Sequence, residues 1–403
     1  MGMFAHRLRD PTAVSCGCVG RFLGPQNGPV MVLFKHDQVE ALMCGGDLET
    51  EGVHVLCAGP VFGSVQKALC VPAALDPHPD LLLIITADLQ VAVLQLDPQT
   101  HRFVCCSSTQ LKPPKRKSHP RVVMPLVACC SGDRGDGNST RTVLIAAFQG
   151  VVHAFEFGIL DVSLVRSSVL RWSHLIHNMC FLHRAEDIQG LPVVALLCSD
   201  SAEECSHTCV HTVVPVLLPS TPDQSPTFAE GPWRVDNLHP CCSAILSLRA
   251  DALGPSSIDQ AILCVFAPGR LFILGSTGCL LESQLSISPL HNILECLSLP
   301  TLGANACQSI LLCDGSGQVH LLCVSVESDG TVDAFQPSLE LDPVDSEDGL
   351  PPHSECVALL AVPRGEATLH DWLVVVGCSY GSSRLQAVHW DPSHPSAVSL
   401  SMV

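Results

Sequence analysis

Aromatic residues are scarce in this chain of 403 residues: they make up 4%, with a single tyrosine. A sizeable core must therefore be built from Leu, Val, Ile, Ala and Cys. Charge is scarce as well, at 15% against 47% hydrophobic residues, a balance that excludes a disordered chain. Basic residues are few enough to leave a net charge of −18. That is a poor match to a protein that grips nucleic acid through a basic face, and it favours protein partners. No apolar stretch reaches the roughly 18 uncharged residues of a membrane span, so none is expected. Phosphate loops of the Gly-x-x-x-x-Gly-Lys-Ser/Thr kind, dinucleotide fingerprints after a strand and Cys-x-x-Cys pairs are all missing. No acid/base pair stands out, and no cofactor is expected.

Cysteine, by contrast, is plentiful at 23 residues, an odd number. The opening MGMFAHRLRD carries His6, Arg7, Arg9 and Asp10 where a signal peptide needs an apolar core. Many cysteines (Cys198, Cys264, Cys313, Cys323) lie inside apolar runs, where a reduced thiol packs as a small hydrophobe. The expectation is an intracellular protein with free thiols.

One sentence of sequence recurs. TVLIAAFQGVVHAFEF (142–157) is an apolar run, a turn at Gly150, and a second run in which Val151, His153, Phe155 and Phe157 share a face. Such a pattern reads as two antiparallel strands. Related pairs begin at Leu81, Ala261, Gln308 and Trp372, with weaker copies at Pro29 and Pro192. The first apolar residues, Val30, Leu81, Val143, Val193, Ile262, Ile310 and Leu373, are spaced 51, 62, 50, 69, 48 and 63 residues apart. Propeller blades run roughly 40–50 residues with four strands each, the excess sitting in loops. The expected fold is all-β, a single seven-bladed β-propeller over 1–403; a β-sandwich is the alternative. Pro11–Phe22 is expected to supply a strand that completes the final blade and closes the ring. Phe62–Ala74 and Val123–Cys130 are expected to open blades. Val165–Phe181 fits a helix, or a loop plus an opening strand. Leu218–Trp233 and Leu339–Glu355 read as exposed loops.

Three motifs invite chemistry. Gly377-Cys378-Ser379-Tyr380-Gly381 matches Gly-x-Ser-x-Gly, but that motif works at a strand-to-helix elbow, and the following SSRLQAVHW alternates like a strand. No catalytic residue is expected. Cys205, His207, Cys209 and His211 alternate in ECSHTCVH. On an extended strand the outer two would stand about 20 Å apart, too far for one tetrahedral metal. No metal centre is expected there. Lys112, Lys115, Arg116, Lys117 and Arg121 form a basic, proline-rich loop that reads as a solvated loop, a nuclear-import signal or a phosphate contact.

The stretches PTAVSCGCVGRF (11–22), VFGSV (61–65), DLLLIITADLQVAVLQL (80–96), GPWRVDN (231–237), DGTV (329–332) and VVGCSYGSSRLQ (375–386) add a likeness. In their order and spacing the chain resembles the N-terminal propeller of the large damaged-DNA-binding protein subunit family. Its relatives are the largest cleavage-and-polyadenylation specificity factor subunit and splicing factor 3b subunit 3. The resemblance implies a non-enzymatic scaffold in the nucleus and cytoplasm, acting in DNA damage response and repair. Its partners would be the substrate receptors of a cullin-4 RING ubiquitin ligase, further propellers or the cullin complex. A scaffold of pre-mRNA cleavage and polyadenylation or splicing is the alternative. The chain matches one of that family's three propellers, the half of a clam that holds receptors. Ser379 and Tyr380 stand where the family places an Arg–Leu pair that touches receptors, and they are the expected partner-binding residues.

Overall fold

A computed structural model describes the chain except residues 1–13, 25, 36–37, 45–52, 62, 74–77, 114–120, 133–139, 159–163, 187–190, 200–207, 218–224, 249–260, 291, 300–306, 315–317, 327–330, 338, 342–355, 364–370, 379–383, 391–397 and 403. Six four-stranded antiparallel sheets follow one another along the chain, each with its strands paired in sequence order. Sheet 1 holds β1 (Val14–Gly20), β2 (Val30–Lys35), β3 (Gln38–Cys44) and β4 (Val53–Pro60). Sheet 2 holds β5 (Val65–Val71), β6 (Leu81–Thr86), β7 (Gln90–Leu96) and β8 (Phe103–Gln110). Sheet 3 holds β9 (Val122–Gly132), β10 (Thr140–Phe148), β11 (Val151–Gly158) and β12 (Leu164–Arg171). Sheet 4 holds β13 (Leu175–Glu186), β14 (Pro192–Ser199), β15 (Thr208–Val216) and β16 (Thr227–Leu238). Sheet 5 holds β17 (Ala244–Ser247), β18 (Leu263–Ala267), β19 (Arg270–Gly275) and β20 (Gly278–Gln284). Sheet 6 holds β21 (Ile293–Ser298), β22 (Cys307–Asp314), β23 (Val319–Val326) and β24 (Val332–Phe335). A last sheet is five-stranded: β26 (Cys356–Pro363), β27 (Asp371–Cys378), β28 (Arg384–Trp390) and β29 (Val398–Met402) in order, with β25 (Leu339–Leu341) parallel to β29.

The recurring apolar pairs are the second and third strands of these sheets. They lie mid-sheet with a neighbouring sheet on each face, so nearly every position is apolar: β6 and β18 are buried throughout. Fourth strands are outermost, and there the pattern relaxes to the half-exposed β8, β12 and β20. The turn after β10 needs a left-handed residue, supplied by Gly150 at φ 73°. The residue leaving β12 locks it: the Trp172 amide donates to the Gly150 carbonyl at 3.2 Å. The same lock joins Leu111 to Leu89 and Leu285 to Gly269, whose φ values are 59° and 66°.

Consecutive sheets pack face to face. Ile84 and Leu82 of sheet 2 meet Val30 and Phe34 of sheet 1, while Leu83 and Val93 on the other face meet Val143 and Phe155 of sheet 3. Leu144 and Val152 meet Leu196 and Val213; Leu197 and Val210 meet Leu263 and Val265; Phe266 and Ile273 meet Ile310 and Leu322. Each such side chain contributes about 1.5–3 kcal/mol on burial, so the seams carry the stability. First strands run side by side. The Ser15 hydroxyl donates to the Val65 carbonyl, Asn178 Nδ2 to Ser243, and the Ser243 hydroxyl to Ile293, each at 3.3 Å. β21 touches β26, and β1 touches both β5 and β26. Val14, Met31 and Leu33 of sheet 1 pack on Leu360 and Val375 of the last sheet.

Several segments differ from expectation. Residues 14–20 of the N-terminal stretch pair with β2 in sheet 1, and do not add an edge to the last sheet. Val14, Cys16, Cys18 and Gly20 alternate inward on β1, which makes it the first strand of its own sheet. Val165–Phe181 is not a helix; its first part is β12, where a loop was the alternative, and its end begins β13, which opens sheet 4 as that alternative expected. The presumed loop 218–233 ends in β16 from Thr227, and the presumed loop 339–355 begins with β25. Both strands lie at sheet edges, where one bonded neighbour suffices and no apolar run marks them. Phe62–Ala74 and Val123–Cys130 do supply opening strands, β5 and β9.

Candidate functional site

Within each sheet the connection between strands two and three lies at the same end as the exit from strand four into the next sheet. The first strands of sheets 1 and 2, and those of sheets 4, 5 and 6, run in one sense, so within each of these groups the ends gather on one side. The basic segment is one such exit. Its flanks are pinned: the Leu111 amide donates to Leu89 at 3.0 Å and the Gln149 amide to Arg121 at 3.1 Å. Lys112 and Arg121 are exposed, while Lys115, Arg116 and Lys117 lie outside the described residues. Beside Arg121 stand two exposed apolar side chains, Val122 (58%) and Met124 (70%). Ser379 and Tyr380 also lie outside the described residues, between the end of β27 at Cys378 and the start of β28 at Arg384. β28 pairs antiparallel with β27, so a strand follows Ser379 where an elbow would place a helix.

The same end of sheet 4 gathers a denser group. Cys209 and His211 sit two apart at the start of β15 and share a face. Asp236 reaches them from β16. Opposite Cys209 the register slips, from Thr208 against Leu238 to Val210 against Val235, so β16 holds an extra residue. Asn237 takes the left-handed turn this bulge requires, at φ 61°, a conformation Asn tolerates better than most residues. The sulfur of Cys209, a ring nitrogen of His211 and a carboxylate oxygen of Asp236 lie within 4.8 Å of one another. A second bulge steadies β16. Thr212 Oγ1 accepts from the Trp233 amide at 2.9 Å and donates to the Trp233 carbonyl, and Gly231 comes against the Thr212 backbone.

Around the three donors stands an aromatic wall. Trp172 meets His211 and Phe228 edge-on at 5.4 and 5.6 Å, and His174 stacks on His211 at 5.4 Å. His211 Nε2 is buried with no hydrogen-bond partner. Arg234 Nε donates to Asp236 Oδ1 at 2.6 Å. Behind the group, His177 Nε2 lies 2.8 Å from the Ser199 hydroxyl, and burial lowers the His177 pKa.

Cys209 differs from the other thiols. Its pairing with Cys198, helped by His211 and the charge of Arg234, lowers its pKa against the effect of burial, while Cys198 is pushed up. Burial drives Cys16, Cys129, Cys130, Cys180 and Cys242 up to about 12, which keeps them protonated and unreactive. The described cysteines are all free thiols. Of the alternating four, Cys205 and His207 lie outside the described residues; the third donor that the structure brings to Cys209 and His211 is Asp236. The Asp-Asn pair near a strand end is the signal that could have marked it, since both residues favour bulges and turns.

A cavity of about 370 Å³ lies between sheets 1 and 2, lined by Phe34, Ile84, Leu94 and Phe103 with Thr86 and Gln90 at its polar side. The fold and these sites define an all-β protein of blade-like repeats. No family model matches the chain, and no curated protein matches it.

Proposed function

We propose that the chain is a non-enzymatic protein-interaction scaffold, a single seven-bladed propeller in the adaptor role of a cullin-4 RING ubiquitin ligase. The closed ring is supported above all by an ion pair, Lys67 Nζ to Glu295 Oε1 at 3.1 Å, which joins sheet 2 to sheet 6. Sheets stack about 10 Å apart, so four steps of an open stack would separate these strands by on the order of 40 Å. A toroid brings them together across its axis, and the seam between sheet 1 and the last sheet agrees with it.

A rigid ring with loops gathered on one end suits the display of a binding surface. The adaptor role rests on the resemblance of the stretches at 11–22, 231–237 and 375–386. The receptor-facing side in this reading is the turn-bearing end, where Lys112, Arg121, Val122 and Met124 are exposed and where the connection holding Ser379 and Tyr380 begins and ends. The experiment is affinity purification of the tagged chain from nuclear and cytoplasmic extracts, read by mass spectrometry. Recovery of cullin and RING subunits is expected, and reduced recovery with Val122→Glu/Met124→Glu. Recovery of polyadenylation or splicing subunits instead would overturn the ubiquitin-ligase assignment.

A further inference from the structure

We propose that Cys209, His211 and Asp236 form a site for a borderline-soft divalent metal, Zn²⁺ by preference, these three being the ligands found together among the described residues. The donor set is one thiolate sulfur, one imidazole nitrogen and one carboxylate oxygen, a mixture that suits zinc and disfavours magnesium or calcium. Their donor atoms already lie within 4.8 Å of one another on two adjacent strands. Bond lengths of about 2.0–2.3 Å imply donor separations of about 3.3–3.8 Å in a tetrahedral site, so closure by about 1 Å completes it.

That closure falls on Asp236, the exposed member, while Cys209 and His211 are held by the β15 ladder. Arg234 Nε donates to Oδ1 of Asp236 and so holds the carboxylate beside the other two donors. Two further observations point the same way. His211 Nε2 is buried without a hydrogen-bond partner, a costly state for a polar atom that a ligand would relieve. The extra residue in β16, with Asn237 in a left-handed conformation, is what turns Asp236 toward the other two donors, and bulges commonly re-aim a side chain in this way. His174, stacked on His211 at 5.4 Å, fixes the imidazole plane. The site stands independently of the ubiquitin-ligase reading.

The test uses the full chain, stripped of metal with a chelator and titrated with Co²⁺ and then Zn²⁺ at neutral pH. One equivalent of Co²⁺ is expected to produce a thiolate-to-metal charge-transfer band, displaced by Zn²⁺. Cys209→Ser should abolish the band. Asp236→Asn, at an exposed position and so without cost to folding, should weaken Zn²⁺ binding at least about tenfold with an unchanged circular dichroism spectrum. Cys105→Ser/Cys106→Ser, which removes exposed thiols elsewhere, should change nothing. No saturable Co²⁺ spectrum, a band that survives Cys209→Ser, or parental Zn²⁺ affinity in Asp236→Asn would each overturn the assignment.

Discussion

His153 shows what one side chain costs the fold. It lies on β11 between two phenylalanine rings, 5.8 Å from Phe148 and 6.5 Å from Phe155, with its Nε2 buried and unbonded. Burial without a compensating charge lowers its pKa from 6.5 to about 4. The neutral imidazole is therefore the folded form, and the unfolded chain takes up a proton that the folded one refuses. Above about pH 6.5 this costs nothing; as pH falls from 6.5 to 4 the chain loses up to about 3 kcal/mol, roughly 2 of them by pH 5. His153→Phe keeps the ring in the stack and removes the titration. Urea unfolding at pH 7.5 and pH 5 should show a larger acid loss in the parent than in the variant. Equal losses would mean that the imidazole is solvated and not held neutral by burial.

At the scale of the strand, β16 is the clearest case. It carries Gly231 and Pro232 in a position that would break a central strand but is allowed at an edge with a bulge. A Cβ on Gly231 would sit 2.4 Å from both the carbonyl carbon and oxygen of Thr212. Backbone cannot yield as a side chain can, so Gly231→Ala should cost about 2–4 kcal/mol or prevent soluble folding. Gly59→Ala, with open space around it, should leave the melting temperature nearly unchanged. Equal melting curves for the two variants would show that the bulge is absent. The central hairpins were legible in the sequence because strands buried on both faces need unbroken apolar runs, as in LLLIIT of β6. The outer strands were not. LVRSSVLR in β12 exposes half its positions, and a half-exposed strand and a half-exposed helix look alike over eight residues. The candidate site was legible by halves for a related reason. Cys209 and His211 show themselves by their two-residue spacing, which one strand sets. Asp236 joins them through a register slip between two strands; the Asp236-Asn237 pair marks a bend in β16 but not which residues of β15 it faces.

For the whole molecule the question is whether the stack of sheets closes. Burial by itself would push the Lys67 ammonium down, but the Glu295 carboxylate outweighs it and the net shift is upward, so Lys67 keeps its charge. Residues 228 positions apart in the chain, on sheets with three others between them, make this contact only if the stack bends back on itself. Both side chains keep about a third of their exposure, so the pair is worth at most about 1 kcal/mol and cannot drive closure. Its value is as a reporter. Lys67→Glu sets two carboxylates against each other and should lower the melting temperature; Glu295→Lys alone should do the same with two ammonium groups. The double exchange restores an opposite pair, so its loss should be smaller than the sum of the two single losses by about 0.5–1 kcal/mol, and the difference should shrink in high salt. In an open stack the two sites would sit several Debye lengths apart and their effects would simply add. Additivity within error would therefore remove the ring, and with it the single loop-bearing end on which partner binding is proposed to depend.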